Sequence, residues 1–153
     1  MRLAMDIGGT NLKLGLINDQ GKVEKHEMHR MEDLISHPNF IEALILYLNK
    51  FVGQSKITCG GVSSKGFIDS VSGKIIDDVS LGKELGGLSI CQILSDEYSA
   101  PFSIENDAKC YAWGEYKFGV GKKYKTFCCI TLGTGIGCAL SLIHISEPTR
   151  RYA

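Results

Sequence analysis

The sequence has no surplus of charge of either sign and no long apolar run. Its 153 residues include 17 basic and 17 acidic side chains, so it lacks the basic surplus that is typical of a nucleic-acid-binding domain. Its apolar stretches are strand-sized and interrupted by glycine or charge, which excludes a spanning helix and a signal-peptide core. We therefore expect a cytoplasmic protein with neither a nucleic-acid partner nor a membrane partner.

Spacings typical of metal sites or of a disulfide framework are also lacking. The six cysteines lie mostly inside apolar segments, and the four histidines are scattered. Cys128 and Cys129 are adjacent, so their side chains would point to opposite faces of a strand. Buried thiols in a reducing compartment are therefore expected.

The order of strand and helix signals predicts an α/β fold. Residues 3–7 and 11–17 flank a Gly-Gly turn, and the more polar stretch 22–30 follows, so the sheet is expected to open with three antiparallel strands. Helical spacing runs from about residue 31 to residue 52, with Pro38 suited to the first turn of the main helix. The remaining signals are, in order, a strand at 57–62, a small hairpin at 67–76, a helix at 88–98, a strand at 101–104, a helix at 106–118 and a strand at 126–132.

A first glycine turn follows an acidic residue near the N-terminus, in the sequence D-I-G-G-T-N. Backbone N–H groups of Gly8 and Gly9 could approach a polyphosphate, and Thr10 and Asn11 would add side-chain donors. Asp6 beside that turn could hold a hydrated Mg²⁺. The alternative is a plain hairpin turn with a solvated carboxylate.

A second glycine turn, T-L-G-T-G-I-G, follows the strand at 126–132. It lacks the helix of a dinucleotide fingerprint and the Gly-Lys-Ser/Thr ending of a Walker loop. By pattern it leads into another strand. Two such turns, far apart in the sequence, suggest two hairpins that close on one phosphate chain.

A third motif, I-E-N-D-A, ends a strand and begins a helix. The carboxylate of Asp107 could accept the proton of a substrate hydroxyl, and the amide of Asn106 could hold other hydroxyls of a polyol. Helix capping is the alternative role for these two side chains.

Together with S-S-K-G-F-I-D and A-W-G-E, these motifs resemble the ROK family of bacterial sugar kinases and repressors, in the order in which that family has them. The resemblance covers residues from about 3 to 139. It implies an actin-like (ribonuclease H-like) ATPase fold and ATP-dependent phosphorylation of a hexose or aminosugar, with Mg²⁺ as cofactor. The complete protein is expected to be a homodimer.

The resemblance also implies roles for individual residues. Asp6 would lie near Mg²⁺, Asp107 would be the general base, and Asn106 and Gly66 would line the sugar site together with Asp107. The first phosphate loop would contain Gly8, Gly9, Thr10 and Asn11. The second would contain Gly133, Thr134, Gly135 and Gly137.

The chain departs from the family pattern at three places. The Ser/Thr-Pro-Gly turn of the family reads Ser64-Lys65-Gly66 here. The family's Glu-x-Gly-His sugar motif, its cysteine-rich zinc motif and its adenosine-binding segment are absent, so the second lobe is expected to be largely missing and no zinc site is expected. Residues 140–153 look like a translated sequencing-library adapter, which predicts a native domain over 1–139 followed by a non-native tail.

A truncated kinase with little or no activity is therefore expected. One alternative is a sugar-sensing transcriptional regulator, which the short stretch before the first strand disfavours because it leaves no room for a helix-turn-helix. Another is an actin-like domain that binds nucleotide without transferring phosphate. The Asn106-Asp107 pair argues against that role, which requires no base facing a sugar.

Overall fold

A computed structural model describes residues 1–77, 87–132 and 136–142. The chain divides into two compact units, Met1–Asn106 and Asp107–Ala153. The predicted α/β class is confirmed.

The first unit contains a five-stranded mixed sheet with the strand order β3-β2-β1-β4-β7. These strands are β1 (Arg2–Ile7), β2 (Asn11–Ile17), β3 (Val23–Arg30), β4 (Cys59–Ser64) and β7 (Phe102–Asn106). The first three are antiparallel, as predicted, and the polar β3 is an edge strand. β4 and β7 continue the sheet in parallel with β1, so the carboxyl ends of these three strands lie at one edge.

The helical stretch predicted from 31 to 52 is two helices, α1 (Met31–Ile35) and α2 (Phe40–Val52). Pro38 precedes the N-cap residue Asn39 and does not lie in the first turn of α2, so that part of the prediction was wrong. Two local causes explain the break. The residue before a proline avoids helical backbone, so the helix cannot continue through His37. The side chain of Asn39 then accepts hydrogen bonds from the N–H groups of Ile41 and Glu42 and begins a new helix.

The hydrophobic core of the first unit lies between the helices and one face of the sheet. Alternate residues of β1 and β2 are buried, as the period of two along a strand requires. The buried residues of α2 recur at helical spacing, at Phe40, Ala43, Leu44, Leu48 and Phe51. Burial of this apolar surface is the main stabilising contribution to the unit.

The hairpin predicted at 67–76 is present as β5 (Phe67–Asp69) and β6 (Lys74–Asp77). Helix α3 (Ile90–Tyr98) follows, and the hydroxyl of Ser89 caps it by accepting from the N–H of Gln92. The strand expected at 57–62 lies two positions later, as β4. Ile57 lies before the strand but is buried. Its apolar side chain therefore belongs to the core although the residue is not part of β4.

The second unit begins with α4 (Asp107–Lys117) and a short 3-10 helix (Val120–Lys123). The antiparallel strands β8 (Thr126–Leu132) and β9 (Ile136–Leu142) follow, so the strand predicted beyond the second glycine turn is present. One face of this hairpin packs on Ala108 and Ala112 of α4. Most of the predicted non-native tail, residues 143–153, lies outside the described residues.

The expectation of buried thiols was mostly wrong. Cys91 is buried, whereas Cys128 and Cys138 are exposed, with their sulfur atoms 3.3 Å apart. The two-stranded β8–β9 hairpin has α4 on one face, and the cysteines on its other face are uncovered.

In the described part of the chain no helix is long and apolar enough to cross a membrane.

Candidate functional site

The first glycine turn joins β1 to β2 at the edge where the parallel strands end. The N–H of Gly8 donates a 3.0 Å hydrogen bond to the carbonyl of Asn11, and the N–H of Met31 donates a 2.9 Å bond to the carbonyl of Thr10. A Cβ added to Gly8 would lie 2.9 Å from that Asn11 oxygen. Glycine is therefore required at position 8, because the backbone of Asn11 lies too close for any side chain there. The turn thus presents peptide groups without bulky side chains.

Asp6 stands beside this turn, at the end of β1. Its pairing partners on the neighbouring strands are Lys13 on β2 and Ser63 on β4. The hydroxyl of Ser63 donates to Oδ1 at 2.8 Å, and Nζ of Lys13 lies 3.1 Å from Oδ2. This carboxylate is therefore oriented by both neighbouring strands.

The residues present fit a hydrated Mg²⁺ that is held mainly by phosphate. Throughout the part of the chain that the structure describes, no cluster of three or more His, Cys, Asp or Glu side chains could hold a metal ion. Mg²⁺ at phosphate sites needs only one or two carboxylates, because waters and phosphate oxygens complete its shell. The Lys13–Asp6 ion pair is partly exposed, so it is weak enough to rearrange when a cation and phosphates bind.

The predicted sugar-side residues Gly66 and Asn106 lie in contact. Ser64 and Asn106 are partners in the parallel β4–β7 pair, so the residues just beyond β4 lie next to the end of β7. The side-chain amide of Asn106 donates a 3.3 Å hydrogen bond to the carbonyl of Gly66. Gly66 has a φ of 91°, a left-handed conformation that glycine adopts without strain.

Asp107 is the first residue of α4, in the second unit. Its Oδ1 accepts a 2.8 Å hydrogen bond from the N–H of Ala108. The side chain therefore has a local backbone partner at the start of the helix, and its second oxygen retains acceptor capacity.

The second glycine turn is described in part. Gly133, Thr134 and Gly135 lie outside the described residues, whereas Gly137 is the second residue of β9. A Cβ on Gly137 would overlap the hydroxyl of Thr131 and lie 3.2 Å from the Cβ of Ala108. Close packing of β9 on the first turn of α4 therefore requires a glycine here.

Lys65 is a residue of this region that sequence reasoning did not assign to the site. Its Nζ occupies the space that a Cβ on Gly9 would need. The only signal in the sequence was the departure from the Ser/Thr-Pro-Gly pattern at this position. That departure does not show that the lysine lies against the first glycine turn.

Comparison with known proteins matches residues 2–143 to the ROK family. An uncharacterised protein of Clostridium perfringens is 32% identical over 89% of this chain and 46% of its own length. A glucokinase of Streptomyces coelicolor is 26% identical over 90% of this chain and 42% of its own length. A β-glucoside kinase of Listeria innocua is 28% identical over 88% of this chain and 44% of its own length. The chain therefore spans less than half the length of these relatives.

Solved structures share the same fold. A protein of Cytophaga hutchinsonii that is assigned as a sugar kinase superposes with a TM-score of 0.81 and 32% identity, over 93% of this chain and 48% of that one. A ROK family transcriptional regulator, described as a homologue of the E. coli MLC protein, superposes with a TM-score of 0.74 over 92% of this chain and 36% of its own. At 17% identity, the regulator shows the fold alone. The match over residues 2–143 and the shared actin-like ATPase fold show that the chain belongs to the ROK family.

Proposed function

We propose that this chain supplies the N-terminal part of an ATP-dependent sugar kinase that phosphorylates a hexose or aminosugar. The observation that carries the proposal is the Asp6 carboxylate beside the Gly8–Gly9 turn, where Gly8 must remain without a side chain. Relatives that are a glucokinase and a β-glucoside kinase support the same activity.

The first glycine turn would bind the phosphate chain of the donor. In the proposed site the N–H of Gly9 and the side chains of Thr10 and Asn11 donate to phosphate oxygens. The N–H of Gly8 is bonded to the carbonyl of Asn11, so Gly8 contributes by leaving room for the phosphate to approach the turn. The second turn, with Gly133, Thr134, Gly135 and Gly137, is proposed to bind the same phosphate chain. Mg²⁺, when bound near Asp6, would neutralise charge on the phosphate oxygens.

Asp107 is the proposed general base. A carboxylate that accepts the proton of the attacking sugar hydroxyl makes that oxygen a better nucleophile toward phosphorus. The amide of Asn106 and the backbone at Gly66 would orient other hydroxyls of the sugar, and their mutual hydrogen bond fixes the amide. We also propose that the 153-residue chain alone transfers little or no phosphate, because it spans less than half the length of its relatives.

The test uses the protein encoded by the complete reading frame that contains this sequence. It is assayed with Mg-ATP against a panel of hexoses and aminosugars, next to Asp107→Asn. We expect turnover of at least one sugar and a loss of about 100- to 10,000-fold in the variant, with sugar binding, followed by calorimetry, retained. The matched control is Asp19→Asn, an exposed acidic side chain in the β2–β3 turn, which should leave turnover unchanged.

The alternative is a sugar-sensing transcriptional regulator without transfer activity, and a ROK family transcriptional regulator has the same fold as this chain. Sugar binding by the complete protein with no phosphorylated product from any member of the panel would favour that role and reject the kinase.

A further inference from the structure

The turn after β4 lies beside the first glycine turn because of the sheet register. β1 and β4 are parallel, and their last paired residues are Ile7 and Ser64. The segments that follow these two residues therefore leave the sheet at the same edge. Gly9 follows Ile7 by two positions, and Lys65 follows Ser64 directly.

The side chain of Lys65 crosses the gap between the two turns. A Cβ built on Gly9 would overlap Nζ of Lys65 and lie 3.4 Å from its Cε. The ammonium group thus rests against the backbone of Gly9, which is exposed together with Thr10. Any side chain at position 9 would displace this ammonium group.

The backbone on both sides of Lys65 is fixed. Ser64 is completely buried, and its hydroxyl donates a 3.2 Å hydrogen bond to the carbonyl of Lys65. Gly66 has the left-handed conformation, and its carbonyl accepts from the amide of Asn106. The direction in which the lysine leaves the chain is therefore determined by buried and hydrogen-bonded neighbours.

This arrangement places positive charge on the turn proposed to hold phosphate. Lysine binds phosphate as a point charge, and a charged donor makes a stronger hydrogen bond than a neutral amide. Proline, which the family pattern has at this position, offers neither a charge nor a donor.

We propose that Lys65 is a further phosphate-binding residue, whose ammonium group contacts the donor's phosphate chain at Gly9. The inference rests on the proposed function for the identity of the donor. The contact with Gly9 stands independently of it. Lys65 would strengthen the binding of phosphate in the ground state and would stabilise the negative charge that develops during transfer.

The test measures binding of Mg-AMPPNP, and of adenosine as a ligand without phosphate, to the complete protein by calorimetry. Lys65→Ala is expected to weaken Mg-AMPPNP binding by about 10- to 100-fold and to leave the affinity for adenosine unchanged. Lys65→Arg, which keeps the charge, should recover most of the loss. Lys50→Ala, at an exposed lysine of α2, is the matched control and should bind as the unchanged protein does.

A second measurement follows the lysine side chain of the unchanged protein directly. Lysine side-chain NMR of the unchanged protein, with Lys65→Arg used only for assignment, should show the Lys65 signal shift when tripolyphosphate is added, whereas the Lys50 signal should not.

The outcomes separate this inference from the proposed function. Sugar turnover by the unchanged protein, with equal Mg-AMPPNP affinity in Lys65→Ala and no NMR shift at Lys65, overturns the inference and leaves the kinase in place. Loss of Mg-AMPPNP affinity in Lys65→Ala, with no sugar phosphorylated, supports the phosphate contact and rejects the kinase.

Discussion

The hydroxyl of Ser63 donates a 2.8 Å hydrogen bond to Oδ1 of Asp6. The two residues are direct partners on the parallel strands β1 and β4, so the bond connects two central strands of the sheet. It fixes the carboxylate at the strand ends, where the first glycine turn begins.

Asp6→Asn is expected to increase the Mg²⁺ concentration needed for half-maximal turnover of the complete protein. The amide keeps the shape of the side chain and an acceptor for Ser63 but removes the charge that favours a hydrated cation. The measurement is a Mg²⁺ titration of sugar phosphorylation at saturating ATP and sugar, with Asp33→Asn on α1 as the control. An unchanged Mg²⁺ requirement in Asp6→Asn would remove Asp6 from the proposed metal site.

The adjacent glycines of β4 should respond differently to alanine. A Cβ on Gly60 would overlap the ring of Phe102 on β7, whereas a Cβ on Gly61 meets no atom within 4 Å. Gly60→Ala is therefore expected to lower the free energy of unfolding by about 1–3 kcal/mol, and Gly61→Ala should change it by less than about 0.5 kcal/mol. Urea unfolding followed by circular dichroism measures both. Equal effects of the two substitutions would contradict the packing of Phe102 on Gly60.

Removing the cap of α2 should destabilise the first unit. The side-chain oxygen of Asn39 accepts bonds of 3.1 and 3.3 Å from the N–H groups of Ile41 and Glu42. Asn39→Ala leaves these groups without that acceptor and is expected to cost about 1 kcal/mol, whereas Asn39→Asp keeps an equivalent cap. The two variants are compared by their urea midpoints, and an aspartate variant as unstable as the alanine variant would argue against capping by this side chain.

Tyr98 should make the protein less stable in strong alkali. Burial, together with the neighbouring Glu97 carboxylate, raises the pKa of Tyr98 from 10.0 to about 12. Between these values the unfolded chain has lost the phenolic proton and the folded chain retains it, so the unfolded state binds fewer protons. The free energy of unfolding therefore falls as the pH rises from 10 toward 12.

Tyr98→Phe tests this dependence. The variant loses the 2.8 Å hydrogen bond from the phenol to Oδ1 of Asn49 and should be slightly less stable at neutral pH. Its stability should then fall less steeply with pH than that of the unchanged protein across the same alkaline range. Parallel slopes for the two proteins would show that the phenol of Tyr98 does not titrate differently in the folded and unfolded states.

The parts of the fold that depend on neighbours in the sequence could be predicted. The β1–β2 hairpin, the polar β3, the β5–β6 hairpin and the strand-to-helix junction at Asp107 follow from local periodicity and turn residues. The start of α2 was predicted too early, with Pro38 in its first turn, because apolar residues keep a similar spacing on both sides of Pro38. The caps, and not the periodicity, decide where α2 begins.

The parts that depend on register between distant strands could not be predicted. Nothing in the sequence around Lys65 indicates that its ammonium group lies on Gly9, because that contact results from the pairing of Ile7 with Ser64. The exposure of Cys128 and Cys138 likewise depends on which face of β8–β9 the helix α4 covers. Apolar neighbours in the sequence do not reveal that choice.

The position of β1 inside the sheet has a consequence for the order of folding. This strand pairs with β2 through a tight local turn, but its other edge is completed by β4, and partners such as Asp6 and Ser63 are 57 positions apart. Closing that long loop is slow compared with forming the hairpins. During synthesis one edge of β1 is expected to stay unpaired until β4 has left the ribosome, and an unpaired edge can pair with another chain.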